Sequence, residues 1–170
     1  MEIKGYKALT KDMESRYGDK YEIGKTYTVE GPLKFGFGGI HGRGIHFCTR
    51  LEDTLKYFDI EDEDIIIAAV TSLDDFDEFC EEDQDYSLMY AARTLRFDRI
   101  VPREEIVDMF LFTPYYRTER FLQFFKLTKE EIELYKYVYQ DDSYISNIIS
   151  YYQENKKDVY EKKHKLKIKK

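Results

Sequence analysis

Residues 65–70 form an uninterrupted apolar run, and this run constrains the possible fold more than any other feature. Six apolar residues have the length of a buried β-strand. The run is far shorter than the roughly 18–20 apolar residues that cross a bilayer, so we expect no membrane span. The 170-residue chain also contains 16 Tyr and 12 Phe, which supply bulky side chains for a core around such a strand.

Further strands are predicted on both sides of this run, over residues 5–9, 21–29, 44–48 and 96–101. Five glycines fall within residues 35–44. Because glycine adopts positive φ and lets another backbone or a ligand approach closely, this segment is either a mobile loop or a loop that accepts phosphate. It lacks the spacing of the known nucleotide-binding phosphate loops.

Three stretches in the first part of the chain are predicted to be helical. Thr49 and Glu52 form a capping box for a helix over about 50–58. Residues 72–85 combine eight acids with apolar residues at helical spacing, which predicts a short amphipathic helix with an acidic outer face. Residues 86–95 are a further helix candidate.

The last part of the chain carries clearer helix signals. Pro102 followed by acidic residues is typical of a helix start, although the same segment also suits a strand. Thr128 and Glu131 form a second capping box. Asp142 or Ser143 suits the N-cap of a last helix.

These elements predict an α+β protein with a small mixed or antiparallel sheet core, flanking helices and a C-terminal helical extension. We expect a core domain over residues 1–114 and a helical appendix over 115–160 that packs on it. A lysine-rich basic tail over 161–170 would follow.

Charge is distributed unevenly along the chain. The formal net charge is −7, yet residues 156–170 hold eight Lys and two acids, which leaves the rest of the chain at −13. An acidic body repels nucleic acid and anionic membranes. Charge leaves the partner open: the candidates are a protein, or nucleic acid through residues 156–170 alone, and the alternative for these residues is a solvated, frayed helix end whose lysines complement the helix dipole. The N-terminal residues lack an apolar signal region, which predicts an intracellular protein.

The predicted strand 44–48 carries the side chains with the most reactive chemistry. Alternation places Ile45 and Phe47 on one face, which we expect to be core, and His46 and Cys48 on the other. In the absence of a secretion signal, the two cysteines of the chain are expected to be free thiols.

Three interpretations of this second face remain open. A histidine can activate a cysteine nucleophile. Zinc can be held by His41, His46, Cys48 and Cys80, although these residues meet the usual ligand spacing only in part. The third interpretation is structural, with a half-buried, hydrogen-bonded histidine and Cys48 as a small apolar filler.

Two groups of residues resemble a known domain. The first group is Y-K-A-L at 6–9 with Y-E-I-G-K at 21–25, and the second is G-I-H-F-C at 44–48 with L-E-D-x-L-x-Y at 51–57. Together they are similar to an uncharacterised domain family of large DNA viruses and phages. The resemblance implies an accessory protein of the host cytoplasm or the virion, and it implies no particular activity.

A second resemblance concerns a possible pocket. G-x-G-I-H-F at 42–47, followed by a predicted helix and Tyr57, is similar to the G-x-G-I-Y-F-A…Y segment of ADP-ribosyltransferases. In that fold, the strand and the next helix shape a nicotinamide pocket, so the resemblance implies NAD as a cofactor. The implied cofactor-binding residues are Lys7, Gly44, Ile45, His46 and Tyr57. The implied catalytic residues are His46 with Glu104 or Glu105. Lys7 stands where that family has a His or an Arg.

The sequence therefore leaves two classes of function open. One is a binding module of viral or phage type that acts through its surface and its basic tail without catalysis. The other is a small NAD-using transferase with its pocket at residues 44–48. Within the second class, a cleft that holds Lys7, His46 and a carboxylate near one ligand would be the expected arrangement.

Overall fold

The computed structural model describes residues 2–33, 43–55, 65–73, 76–80, 88–113 and 115–154. By its own contacts the chain divides into two compact units, Met1–Pro102 and Arg103–Lys170. Among the described residues, the first unit contains the β-strands and one short helix, and the second contains the remaining helices. The predicted domain boundary at residue 114 lies one helix beyond the junction of these compact units.

The first unit is built on one seven-stranded sheet with the order β2-β7-β4-β1-β3-β6-β5, in which every neighbouring pair is antiparallel. The strands are β1 Ile3–Leu9, β2 Thr26–Thr28, β3 Ile45–Cys48, β4 Ile66–Ser72, β5 Phe76–Cys80, β6 Leu88–Ala92 and β7 Thr94–Ile100. Helix α1, Leu51–Leu55, follows β3. The predicted α+β class with an antiparallel sheet is confirmed.

The apolar run at residues 65–70 forms most of β4, which lies between β1 and β7. Its side chains Ile67, Ala68 and Val70 are almost completely buried. The predicted buried strand is confirmed, because a strand with ladder partners on both edges and apolar side chains has no group that requires water.

An aromatic cluster fills one face of this sheet. Tyr21 stacks on Phe97 at 4.4 Å between ring centroids, and Tyr27 meets both rings edge-on. Phe47 stacks on Tyr90 at 5.5 Å in the same core. Aromatic pairs in offset or edge-to-face geometry contribute beyond the apolar area that they bury.

The helices predicted over residues 72–95 are wrong. This segment contains β5, β6 and the start of β7, and β6 pairs with both β3 and β5. Short apolar patterns fit a strand as well as a helix, and ladder partners distant in sequence decided the outcome. The predicted strand 21–29 is also shorter: Gly24 has φ +87°, and the regular ladder with β7 covers Thr26–Thr28.

The second unit contains the helices α2 Arg103–Met109, α3 Tyr115–Phe124, α4 Lys129–Val138 and α5 Ser143–Ile149, followed by a π-helix at Ser150–Glu154. The helix predicted after Pro102 is confirmed, and the alternative strand there is wrong. The predicted capping box is present, since Thr128 accepts from the Glu131 amide and the Glu131 side chain accepts from the Thr128 amide. Asp142 is the N-cap of α5.

The second unit has its own aromatic core. Phe121 stacks on Phe110 at 4.2 Å and on Phe125 at 4.8 Å, and Tyr135 lies against the same ring. Within the described part of the chain, no helix has the length and apolar character needed to cross a membrane.

Candidate functional site

The predicted site residues of the first unit lie where β1 meets β3. These two strands pair at a single position, Tyr6 opposite Cys48, whereas β1 and β4 pair along their whole length. At Gly5 the backbones approach so closely that a Cβ atom would collide with the carbonyl oxygen of Cys48 and lie 2.7 Å from the ring of Phe47. The pairing between β1 and β3 is therefore limited to one position, and the two backbones are in close contact at Gly5.

Lys7 bridges the same two strands. Its Nζ donates a hydrogen bond of 2.6 Å to the backbone carbonyl of His46. The side chain is half-buried, and burial lowers the pKa of Lys7 to about 8, partly offset by the nearby Cys48 and Asp19. A lysine with a lowered pKa has more neutral amine at physiological pH, which makes it a better nucleophile or base.

His46 is the second titratable group at this join. Its side chain is half-buried, and burial together with the positive charge of Lys7 lowers the pKa of His46 to about 4. The imidazole is therefore neutral near pH 7, when one ring nitrogen donates and the other accepts. The structure thus brings together two of the residues that the sequence assigned to a pocket.

The remaining residues of β3 are arranged as the alternation predicts on the core side. Ile45 and Phe47 are buried in the aromatic core, which confirms that expectation. Gly44 has φ +133°, which disfavours any other residue, and a Cβ there would lie 3.0 Å from the Cβ of Ala91. Cys48 is buried and is not part of a disulfide.

The other predicted residues belong to the second unit or are not fully described. Glu104 and Glu105 begin helix α2 in the second compact unit, and both side chains are exposed. Tyr57 and His41 lie outside the described residues, and for Cys80 only the backbone is described. Across the described ranges, no three His, Cys, Asp or Glu residues come together as a set that could hold a metal ion.

Sequence reasoning missed the contact between Lys7 and the His46 carbonyl. The side-chain periodicity of a strand gives no information about which carbonyl a lysine will reach on another strand. It also left open whether the tyrosines of the second unit are core or surface. In the structure, Tyr116 and Tyr151 are exposed by more than half, as are Phe112, Tyr137 and Tyr144.

Comparison with known proteins places the chain in a family. No curated protein and no solved structure matches this chain significantly. Residues 3–96, more than half of the chain, match the family described as Domain of unknown function (DUF7666). This range includes all seven strands except the last residues of β7, together with Lys7 and His46. The protein belongs to this family of domains of unknown function, DUF7666.

Proposed function

We propose that this protein is a binding module of viral or phage type, which acts inside the host cell or the virion without catalysis. It acts through the surface of its helical unit and through the lysine-rich residues 156–170. The observation that carries the proposal is the set of aromatic side chains that the second unit exposes. The viral or phage origin rests on the sequence resemblance of residues 6–9, 21–25, 44–48 and 51–57.

The exposed aromatics are not needed for the core of the second unit. Phe110, Phe121 and Phe125 already stack on one another there. Phe112 nevertheless leaves 86% of its surface exposed, and Tyr116, four residues later, leaves 61% exposed. Large exposed aromatic side chains are enriched at protein–protein interfaces, because they bury much area at a low cost in side-chain entropy.

Affinity capture from extracts of infected host cells, with the protein immobilised, tests this proposal. The wild type is compared with Phe112→Ser/Tyr116→Ser, and the matched control is Lys126→Ser/Gln140→Ser, two exposed positions of the same unit. We expect one stoichiometric protein partner, retained by the wild type and the control and lost from the aromatic variant, since such anchors carry most of an interface's energy. If all three proteins retain the same set, the aromatic surface is not the binding site.

A second function, an NAD-using transferase, is favoured by one observation. Lys7 Nζ donates to the backbone carbonyl of His46, two residues after Gly44, and both side chains have lowered pKa values. In this proposal Lys7, Gly44 and His46 line the cofactor pocket.

Thermal unfolding with and without millimolar NAD separates the two functions. A ligand that binds only the native state raises the unfolding midpoint by mass action. The transferase requires a dose-dependent rise in the wild type that is lost in His46→Ala and kept in Lys20→Ala, an exposed control. If NAD does not shift the unfolding midpoint of any of these proteins, the transferase is rejected and the binding module is the remaining proposal.

A further inference from the structure

Helix α4 exposes an acidic and apolar stripe on one face. Glu130, Glu133, Leu134 and Tyr137 lie three, four and seven residues apart, so that they share a face of the helix, and all four are exposed. Tyr137 leaves 71% of its surface exposed. These four residues are called the α4 stripe below.

The last described helix ends beside this stripe. Lys136 Nζ lies 3.0 Å from a carboxylate oxygen of Glu154 and 3.9 Å from one of Glu133. Glu133 belongs to the α4 stripe, and Glu154 is the last residue that the structure describes. One lysine therefore connects the stripe to the point from which the chain continues.

The charge of the residues that follow is opposite to that of the helices they leave. Residues 156–170 contain eight Lys and two acids, whereas residues 126–154 contain three Lys and six acids. Leu166 and Ile168 alternate with lysines near the end of the chain. The segment thus offers ammonium groups and apolar side chains, which the carboxylates and apolar side chains of the α4 stripe complement.

We propose that residues 156–170 dock on the α4 stripe of the same chain. The lysines pair with Glu130 and Glu133, and the apolar side chains of the segment cover Leu134 and Tyr137. The ten residues of α4 extend for about 15 Å. The 16 residues after Glu154 reach up to about 50 Å when extended, so the segment covers the stripe without strain.

Covalent attachment is what makes the same chain the expected occupant. A tethered segment has an effective concentration of about millimolar, so a set of individually weak ion pairs and apolar contacts keeps it bound. This docking does not depend on the proposed function, because it needs neither a partner protein nor NAD. It requires only the exposed face of α4 and the charge of residues 156–170.

Zero-length carbodiimide cross-linking of the full-length protein tests the docking. The reagent joins a carboxylate to a lysine that touches it, and equal amounts of unlabelled and ¹⁵N-labelled protein are mixed beforehand. We expect peptides that join Glu130 or Glu133 to lysines of residues 162–170, with both halves carrying the same isotope. Their yield should fall when NaCl is raised to about 0.5 M, where the Debye length is only a few ångströms.

The matched variants retain every carboxylate of the stripe. Leu134→Ser/Tyr137→Ser should lower the yield of these cross-links several-fold. The control Tyr144→Ser/Tyr151→Ser replaces two exposed aromatic residues on α5 and the π-helix and should leave the yield unchanged. Circular dichroism checks that both variants keep their helices. Mixed-isotope peptides would overturn the proposal in favour of a second copy. Equal cross-linking to Glu104 and Glu105 on α2, or a yield that Leu134→Ser/Tyr137→Ser does not change, would overturn it as well.

Discussion

In the first compact unit, backbone groups are satisfied by partners far away in the sequence, whereas in the second they are satisfied locally and by side chains. Strand β1, at Ile3–Leu9, pairs along its length with β4, at Ile66–Ser72. The helices of the second unit bond within themselves, and their terminal carbonyls receive hydrogen bonds from side chains of other helices.

Tyr135 of α4 and Tyr139, the C-cap of α4, serve this purpose for α2 and the turn after it. Tyr135 donates its hydroxyl to the carbonyl of Val107 at 2.7 Å, and Tyr139 donates to the carbonyl of Leu111 at 2.7 Å. The last four carbonyls of any helix lack an internal partner, so these contacts supply what the helix cannot.

Gln153 does the same for the end of α3. Its amide nitrogen donates to the carbonyls of Leu122 and Phe125, and its amide oxygen accepts from the backbone N–H of Leu127 at 3.0 Å. The π-helix at Ser150–Glu154 carries this buried side chain. The stability of the sheet unit therefore depends on close contact between its strands. The stability of the helical unit depends on individual polar side chains that donate to the carbonyls at helix ends.

The largest effect on stability is expected at Gly5, where the backbones of β1 and β3 are in close contact. Gly5→Ala should lower the free energy of unfolding by about 3 kcal/mol, because the new methyl group collides with backbone. Urea denaturation measures this loss. The control is Gly24→Ala, where φ is +87° but space is open, and there we expect only the strain cost of about 1–2 kcal/mol. Equal losses would show that close approach at Gly5 is not what limits the sheet.

Gln153→Leu should cost about 2–3 kcal/mol, because it leaves buried carbonyls of Leu122 and Phe125 without donors. The loss should appear in urea denaturation followed by circular dichroism in the helical region. Gln140→Leu, at an exposed position in a turn, is the control and should be nearly neutral. If Gln153→Leu did not change the free energy of unfolding, the stability of the helical unit would not depend on this side chain.

Lys7 should make the stability of the sheet unit depend on pH. Burial lowers its pKa from 10.5 to about 8, so the unfolded chain binds more protons between these values and stability rises with pH there. Relative to Lys7→Met, the wild type should gain on the order of 1–2 kcal/mol between about pH 8 and 10.5, allowing for partial exposure. The exposed control Lys20→Met should show the same pH dependence of the free energy of unfolding as the wild type. If Lys7→Met also showed it, the stability of the protein would not depend on a buried charge at Lys7.

Tyr135→Phe should have the smallest effect of the four. It removes the buried hydroxyl that donates to Val107 and keeps the ring, so we expect a loss of about 1 kcal/mol in the free energy of unfolding. Tyr137→Phe, on the exposed face of the same helix, should change nothing measurable. A loss equal to that of the control would mean that water satisfies the Val107 carbonyl as well as Tyr135 does.

The accuracy of sequence reasoning depended on whether a feature is specified by neighbouring residues or by residues distant in the sequence. The capping box at Thr128 and Glu131 was predicted, and the N-cap of the last helix was predicted at Asp142 or Ser143, because a helix start is specified by residues within one turn of each other. The strands β5 and β6 were predicted as helices; β6 pairs with β3, about forty residues earlier along the chain, and β5 pairs in turn with β6. For the site, Ile45 and Phe47 were placed correctly in the core by alternation alone.

By itself, the sequence determined the α+β class, the buried strand at residues 65–70, the helix that begins after Thr128 and a last helix that begins near residues 142–143, whereas it left a helix and a strand open after Pro102. Each of these depends on the composition or spacing of neighbouring residues. Only the tertiary structure decided that Lys7 reaches the His46 carbonyl, that Gly5 lies against Cys48, and that the aromatic side chains divide between core and surface. These features depend on which distant segments meet, because burial and a lowered pKa arise from neighbours that periodicity does not specify.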